Sequence, residues 1–274
     1  MVVVGALSVE LVCWVDEAPA FGKTVVAVDG PRRWAGGHGG NQAVAARAAG
    51  SEVVMVGSVG DDDLGRAYTE LLQRNDIETR LRVVHDESTG LTVVLRPGGG
   101  DAARVVLPGA TQRAGDLLGD LCPIAPSDVV LLQSELPATT LLAAAVRTDV
   151  SGARLVVSCA PYTGLPHEVV ARADPLVVNE RGARALGESG QLPRSLVVTF
   201  GPAGSTWDEE SAYAPVLAHD EGAPSFEAGA GDVFCGALAA ALADGADRHT
   251  ALTRANRAAA ESTAWYGAQR HGEL

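Results

Sequence analysis

The sequence has 274 residues, of which 47% are hydrophobic and 20% are charged, a composition that excludes intrinsic disorder and predicts a compact globular protein. Acidic residues outnumber lysine and arginine by 34 to 21, and the resulting net charge of −13 excludes a dedicated nucleic-acid binder, which needs a basic face. No apolar run reaches the roughly 18 to 20 residues that cross a bilayer, so no membrane partner is predicted.

The beginning of the chain, residues 1–12, is largely apolar but has neither the basic region nor the small-residue cleavage site of a signal peptide. We therefore expect it to form a first buried strand. The four cysteines contain no Cys-x-x-Cys pair, which argues against a zinc ribbon and a disulfide framework. This cysteine usage favours a reducing, cytoplasmic location.

Short apolar runs bounded by turn residues predict strands that are buried on both faces. Beyond residue 128 these runs recur about every 20 to 26 residues, with alanine- and leucine-rich stretches between them at residues 139–147 and 167–173, which is the spacing of βαβ units. The sequence therefore predicts an α/β fold with a mostly parallel central sheet. The predicted strands are residues 2–4, 53–56, 129–132, 155–157, 176–178 and 196–199.

Two further segments predict a hairpin, because residues 91–95 and 104–107 flank a Pro-Gly-Gly-Gly-Asp turn. An isolated hairpin is marginally stable, so we expect a small accessory sheet that also includes residues 25–28. The tail predicts helices at residues 233–242 and 251–265. The chain has no long linker or internal repeat, so residues 1–274 are predicted to form a single domain with a small appendage.

Residues 36–43 read Gly-Gly-His-Gly-Gly-Asn-Gln-Ala and precede an alanine-rich stretch that predicts a helix up to Ala49. Glycines at a helix start let a ligand approach the backbone and leave N–H groups free to donate. The glycine spacing excludes the dinucleotide fingerprint, and the chain has no phosphate-binding P-loop motif. A plain flexible loop is the alternative interpretation.

A second glycine-rich turn, Gly229-Ala230-Gly231, precedes Asp232 and the next predicted helix. Consecutive N–H groups at a helix start can bind an anion and stabilise the charge that develops on a transferred phosphoryl group. Asp232 would lie beside this anion hole as a base for a hydroxyl. The alternative is an aspartate that merely caps the helix.

Other polar clusters give less specific signals. Residues 199–204, Thr-Phe-Gly-Pro-Ala-Gly, follow a predicted strand at the sheet edge where α/β proteins bind ligands. The acidic residues 61–63 and 208–210 are interpreted as a helix start and a hairpin tip, respectively. No histidine pair has the spacing of a zinc site, so a protein-ligated transition metal is not predicted.

The order and separation of three motifs resemble the ribokinase-like, or PfkB-type, family of ATP-dependent carbohydrate kinases. These motifs are Gly-Gly-x-Gly-x-Asn near residue 40, Thr-x-Gly-x-x-Gly near residue 200 and Gly-Ala-Gly-Asp near residue 230, and the likeness extends from Val2 to Gln269. The resemblance implies a three-layer α/β/α fold with a small β lid, formed by roughly residues 10–35 and 88–108. It also implies Mg2+ with ATP as cofactor and a homodimer through the lid.

The resemblance assigns roles by position. Asp232 matches the base that deprotonates the sugar hydroxyl, and the N–H groups of Gly229, Ala230 and Gly231 match the anion hole. The remaining matched positions hold the sugar or the nucleotide, although ribokinases usually have lysine where His38 stands. They are Gly37, His38, Asn41 and Glu135 for the sugar, and Asn179, Thr199, Gly201, Gly204 and Asn256 for the nucleotide.

Three motifs depart from the family pattern. Where the family has Asn-x-Asp as a sugar clamp, this chain has Ser8 and Glu10, and where it has Asn-x-x-Glu the final acid is replaced by Gly182. Glu180 is therefore the candidate that could reach the water shell of magnesium. The usual Asp-Thr-Thr of the monovalent-cation site is Phe-Glu-Ala at residues 226–228, so potassium activation is expected to be small or absent.

The leading hypothesis is a kinase that transfers the γ-phosphate of ATP to a sugar hydroxyl. A nucleoside kinase of the same fold is one alternative, for which Trp14 and Trp34 are the best aromatic candidates to hold a base. A degenerate member that binds sugar or nucleotide without phosphoryl transfer is the other, and the altered motifs motivate it.

Overall fold

The structure is a computed structural model that describes residues 1–97, 102–115, 117–159, 162, 164–215, 229–265 and 269–274. Within these ranges, no helix combines the length and the apolar character of a membrane span. All four cysteines are free thiols.

The described residues contain thirteen strands, which form two separate sheets. The large sheet has nine strands in the order β13-β12-β11-β10-β9-β8-β1-β4-β5, and neighbouring strands are parallel except in the β11–β12 and β12–β13 pairs at one edge. The strands are β1 (Val2–Val4), β2 (Ser8–Val15), β3 (Asp29–Gly36), β4 (Val54–Gly60), β5 (Glu78–Val84), β6 (Gly90–Pro97), β7 (Ala103–Leu107), β8 (Val129–Gln133), β9 (Arg154–Ser158), β10 (Leu176–Asn179), β11 (Leu196–Thr199), β12 (Ser205–Trp207) and β13 (Glu210–Ala212).

Within the described part of the chain, eight α-helices cover the two faces of the large sheet. Successive strand residues point to opposite faces, so Val3 belongs to one core while Val2 and Val4 belong to the other. The first core includes residues of α1, α2, α7 and α8, and the second includes residues of α3 to α6, which makes a three-layer α/β/α sandwich. The helices are α1 (His38–Ala48), α2 (Asp63–Arg74), α3 (Leu117–Leu121), α4 (Ala138–Ser151), α5 (His167–Val170), α6 (Glu180–Ser189), α7 (Ala230–Ala243) and α8 (Arg248–Ser262).

The small sheet has the order β3-β2-β6-β7 and includes the predicted hairpin, whose strands pair as Leu91 with Leu107 and Leu95 with Ala103. Two predictions for this region are wrong. Residues 25–28 are not a strand, and β2 and β3 complete the sheet instead. Residues 1–12 do not form one strand, because the chain leaves the large sheet after Val4 and enters the small sheet at Ser8.

The predicted acidic segments occupy the expected places. The side chain of Asp62 accepts a hydrogen bond from the Gly65 N–H and caps α2, while Asp63 lies in its first turn. Asp208 and Glu209 form the turn between β12 and β13. Both clusters therefore stabilise local structure, as the sequence analysis expected.

Helix α1 begins in direct contact with the backbone that follows β1. A Cβ atom added at Gly39 would lie 2.6 Å from the Gly5 carbonyl carbon and 2.7 Å from its Cα, so only glycine allows this approach. The approach brings the first turn of α1 to the carboxyl edge of the central strand. At this edge, next to the point where strand order changes direction, open α/β sheets bind their ligands.

We predict that Gly39→Ala lowers the free energy of unfolding by about 1 to 3 kcal/mol, because its Cβ would meet backbone atoms that cannot yield without moving α1. Gly187→Ala is the matched control, since Gly187 lies inside α6 and an added Cβ would meet nothing within 4 Å. The control should stabilise the protein by roughly 0.5 to 1 kcal/mol. Urea unfolding monitored by circular dichroism measures both, and equal stabilities of the two variants would contradict this prediction.

Candidate active site

The candidate site lies where two helices begin beside the carboxyl edge of the large sheet. Helix α1 begins at His38, helix α7 begins at Ala230, and Glu135 follows β8. The two helices approach closely, because a Cβ atom added at Gly236 of α7 would lie 2.5 Å from the Gln42 carbonyl oxygen of α1. This approach places the first turn of α7 against side chains of α1.

Asp232 is the centre of the resulting hydrogen-bond network. Its carboxylate is buried, with 6% of the residue exposed, and it accepts hydrogen bonds from three side chains of α1. The donors are Gln42 Nε2 to Oδ1 at 2.8 Å, Asn41 Nδ2 to Oδ2 at 2.9 Å, and His38 Nδ1 to Oδ1 and Oδ2 at 2.8 and 3.0 Å. These donors compensate the buried carboxylate for the hydrogen bonds to water that it loses.

This geometry decides between the two interpretations of Asp232. The N-cap of α7 is Gly229 in a left-handed conformation, and no side chain caps this helix end. Asp232 instead directs its carboxylate across to α1, so the interpretation as a capping aspartate is wrong.

Two glutamines and a tyrosine support the donors from behind. Gln133 Nε2 donates to Gln42 Oε1 at 2.9 Å, and Gln269 Nε2 donates to Asn41 Oδ1 and to the Tyr68 hydroxyl, both at 3.0 Å. Tyr68 in turn donates to the Gly36 carbonyl oxygen at 2.5 Å. Because each amide oxygen is occupied in this way, the NH2 groups of Asn41 and Gln42 are directed at Asp232.

The glycine-rich segment is held by this network in regular structure. The alternative interpretation as a plain flexible loop is therefore wrong. Residues 29–36 form β3, Gly37 is the N-cap and α1 begins at His38, earlier in the motif than expected. The N–H group of His38 donates to Glu135 Oε2 at 2.9 Å, so this helix-start donor is already paired.

His38 is the cationic side chain in direct contact with Asp232, and the carboxylates of Glu135 and Glu10 lie near it. The Asp232 carboxylate raises the pKa of His38 to about 10, with smaller contributions from Glu135 and Glu10, so His38 is an imidazolium at neutral pH. Burial raises the pKa of Glu10, and the charge of Asp232 adds to this shift while Arg104 and Arg96 oppose it. The His38 side chain is 39% exposed, which makes it the accessible member of the pair.

Residues of the small sheet complete this side of the site. Ser8 and Glu10 lie on one face of β2, and Glu10 is paired in register with Trp34 of β3 and Thr92 of β6. Trp14 and Trp34 meet edge to face with ring centroids 6.3 Å apart, and the Arg32 guanidinium lies 5.1 Å above the Trp14 ring.

A cavity of about 850 Å³ lies at the start of α7, and His38 is not among the residues that line it. Ala230 and Gly231 line it, together with all five residues that were assigned to the nucleotide from the sequence. Its other polar lining includes Glu180, Arg181, Arg184 and Thr263. The nucleotide candidates in the lining are Asn179, Thr199, Gly201, Gly204 and Asn256.

Two of these residues also have structural partners. Asn179 caps α6 by accepting a hydrogen bond from the Gly182 N–H at 2.8 Å. Asn256 is buried and donates to Ser205 Oγ at 2.9 Å and to the Ala212 carbonyl oxygen at 3.0 Å, which ties α8 to the hairpin. Asn256 therefore fixes the wall of the cavity.

The structure joins His38, Asn41, Glu135 and Asp232 in one hydrogen-bond network, while Ala230, Gly231 and the five nucleotide candidates line the cavity. Gly37 and Gly229 are the N-caps of α1 and α7, and Ser8 and Glu10 belong to β2 of the small sheet. Residues 226–228, which carry the prediction about the monovalent cation, lie outside the described residues. Among the residues that the structure does describe, no group of three or more His, Cys, Asp or Glu side chains is arranged to hold a metal ion.

Sequence reasoning assigned no role to the donor Gln42, to the supporting residue Gln133 or to the two arginines of the cavity. Gln133 ends the otherwise apolar strand β8, and Gln42 follows Asn41 at the start of an alanine-rich helix. A polar side chain in such a run is a signal for a buried hydrogen bond, since it would otherwise be costly.

Comparison with known proteins identifies the family. The model of the pfkB family carbohydrate kinases matches residues 1–272. The chain is 35% identical over 284 residues to a ribokinase of Bacillus subtilis, covering 97% of this chain and 94% of that protein. It is also 32% identical over 264 residues to an ATP-dependent ribose-1-phosphate kinase of Halopiger xanaduensis, covering 87% and 83%.

A solved structure supports the same relationship. The crystal structure of a ribokinase from Thermotoga maritima superposes with a TM-score of 0.84 at 26% identity, covering 98% of this chain and 94% of that one. The chain therefore belongs to the pfkB family of carbohydrate kinases and is an ATP-dependent carbohydrate kinase.

Proposed function

We propose that this kinase phosphorylates a pentose of the ribose type and that Asp232 is its general base. The observation that carries the assignment is the position of Asp232 at the start of α7, between the His38 side of the site and the cavity of about 850 Å³. The two ribokinases described above and the ribose-1-phosphate kinase all act, by name, on ribose or its phosphate. These names support a ribose-type acceptor.

In the proposed reaction the sugar hydroxyl attacks the γ-phosphorus, and its proton passes to Asp232. The new bond joins the sugar oxygen to phosphorus, while the bond from phosphorus to the β-phosphate oxygen breaks and ADP leaves. The first N–H groups of a helix have no intrahelical acceptors, so those of Gly229, Ala230 and Gly231 are proposed to stabilise the equatorial oxygens. Catalysis then depends on positioning and electrostatics.

The cavity is proposed to bind ATP. Its lining offers the cations Arg181 and Arg184 for phosphates, while Thr199, Gly201 and Gly204 form the turn after β11 at the sheet edge. Mg2+ fits as an ion carried by the phosphates, because Glu180 contributes a single carboxylate to the lining. When bound, the ion would neutralise phosphate charge.

The small sheet is proposed to act as a lid over the sugar, because Ser8 and Glu10 project from the strand that pairs with β3 and β6. We also propose a homodimer through this sheet. Its edge strand β7 is exposed along its length, and Val105 and Val106 are each 60% exposed. An unpaired apolar edge of this kind favours pairing with a second copy. The cytoplasm, which supplies ATP, is the proposed location.

The substrate assignment predicts a ranking of acceptors. In a coupled assay of ADP release with Mg-ATP, ribose should give a kcat/KM at least about tenfold above fructose and adenosine, the difference that one or two specific hydroxyl contacts supply. Ribose 1-phosphate is tested as a fourth acceptor in the same assay. Preferred turnover of adenosine would support the nucleoside kinase instead, and thermal stabilisation by ribose without ADP release would support the non-catalytic alternative.

The role of Asp232 predicts the effect of removing its negative charge. Asp232→Asn should lower kcat by about 10²- to 10⁴-fold, the usual contribution of a general base, while ATP still binds. Nucleotide affinity measured by calorimetry is the control that separates catalysis from folding. Near-normal phosphorylation by this variant would refute the assignment.

The altered residues at positions 226–228 predict a small potassium effect. Turnover at saturating ribose and Mg-ATP should change less than about twofold when tetramethylammonium replaces potassium at equal ionic strength, because no potassium ion is expected to bind and add its charge to the site. An activation by potassium of tenfold or more would contradict this expectation.

A further inference from the structure

The Asp232 carboxylate has no vacant position for a proton from substrate. Oδ1 accepts from Gln42 and His38, and Oδ2 accepts from Asn41 and shares the His38 N–H, all within 3.0 Å. The two oxygens together offer about four lone-pair positions, and three N–H groups cover them because the His38 N–H is shared between Oδ1 and Oδ2. A general base must lie within hydrogen-bond reach of the hydroxyl that it deprotonates, and one donor must therefore leave.

The three donors differ in how many hydrogen bonds are lost when each moves away from Asp232. Asn41 and Gln42 are 6% and 0% exposed, and their amide oxygens are already tied to Gln269 and Gln133. Moving either side chain would leave buried amide groups without hydrogen-bond partners. The His38 side chain is 39% exposed, so its ring can turn away from Asp232 and be solvated.

On the basis of the proposed function, we propose that His38 is a positioning residue that occupies the proton-accepting side of Asp232 until a sugar hydroxyl displaces it. His38 thereby keeps water from being activated in the absence of sugar. The backbone of His38 stays in place, because its N–H donates to Glu135 independently of the ring. Only the side chain has to move.

A sugar can displace His38 from Asp232 more readily than water can, because the two differ in the number of contacts that they form. Breaking the His38–Asp232 pair sacrifices a charge-assisted hydrogen bond. A sugar brings several hydroxyls that can bind Glu10, Glu135 and Asp232 together, whereas a single water replaces one contact. Binding energy from the rest of the sugar thus drives the rearrangement that frees the base, which is induced fit.

The charged groups that face His38 come from three elements. Asp232 belongs to α7, Glu10 to β2, and Glu135 follows β8, while Arg104 and Arg96 act on Glu10. When His38 leaves Asp232, its imidazolium is still surrounded by carboxylates and remains available to a bound sugar. The displacement therefore keeps the cation in the site.

The test compares ADP release with and without ribose in three variants. His38→Ala should raise the sugar-independent rate of ATP hydrolysis about tenfold above that of the parent, the effect of removing one hydrogen bond to a charged group. His38→Asn places an amide donor where Nδ1 stood and should keep the sugar-independent rate within about threefold of the parent. His85→Ala removes a surface histidine that pairs with Asp61 at 3.0 Å, and it should change nothing.

A sugar-independent rate of the folded His38→Ala protein at or below that of the parent would overturn the proposal. A second measurement needs no variant. In ¹⁵N-histidine-labelled protein, the Nδ1–H signal of His38 should shift or exchange with water when ribose is added, while the signal of His85 stays unchanged. A His38 signal that is indifferent to saturating ribose would overturn it as well.

These readouts are separable from the proposed function. If the parent protein phosphorylates none of the sugars offered, the assignment as a ribose-type kinase fails. The sugar-independent rate in the His38→Ala variant is still measured in that case, because it requires only Mg-ATP.

Discussion

The contact between the first turns of α1 and α7 is the constraint on which the site depends. A buried carboxylate is stable only when donors surround it, and Asp232 obtains all of its donors from α1, at residues 38, 41 and 42. This arrangement requires glycine at position 236, where the two helices touch, and at position 39, where α1 meets the strand backbone. Sheet, helix start and base are therefore fixed relative to one another by steric contact.

The strands of the large sheet were accessible to sequence reasoning because they are buried on both faces. Runs such as residues 129–132 form continuous apolar segments, and the structure places alternate residues in opposite cores. The strands β2 and β3 were harder to predict. Polar residues such as Arg32 and Arg33 interrupt β3, which lies at an edge of the small sheet and is largely exposed. Strand propensity is least informative at such edges.

The candidate site shows a similar division between local and distant contacts. The glycine-rich helix starts were recognisable because close approach and helix geometry leave a local signature in the sequence. The partners of Asp232 were not, since the contacts of Asn41 and Gln42 with it connect residues about 190 positions apart. Nothing local in the sequence indicates that Gln269 reaches Asn41, and only the folded chain brings them together.

The histidine at position 38 changes how the base is held. An imidazole is a short, planar side chain whose Nδ1 sits close to its own backbone, so it can contact both Asp232 oxygens from the first residue of α1. The flexible stem of a lysine would let its ammonium range over the pocket, and its charge would not be bound to one acceptor. The pKa of His38, raised to about 10 by Asp232, keeps the ring charged across the physiological range. The site therefore retains a cation beside its three carboxylates, but that cation is held by the very group that must accept the proton.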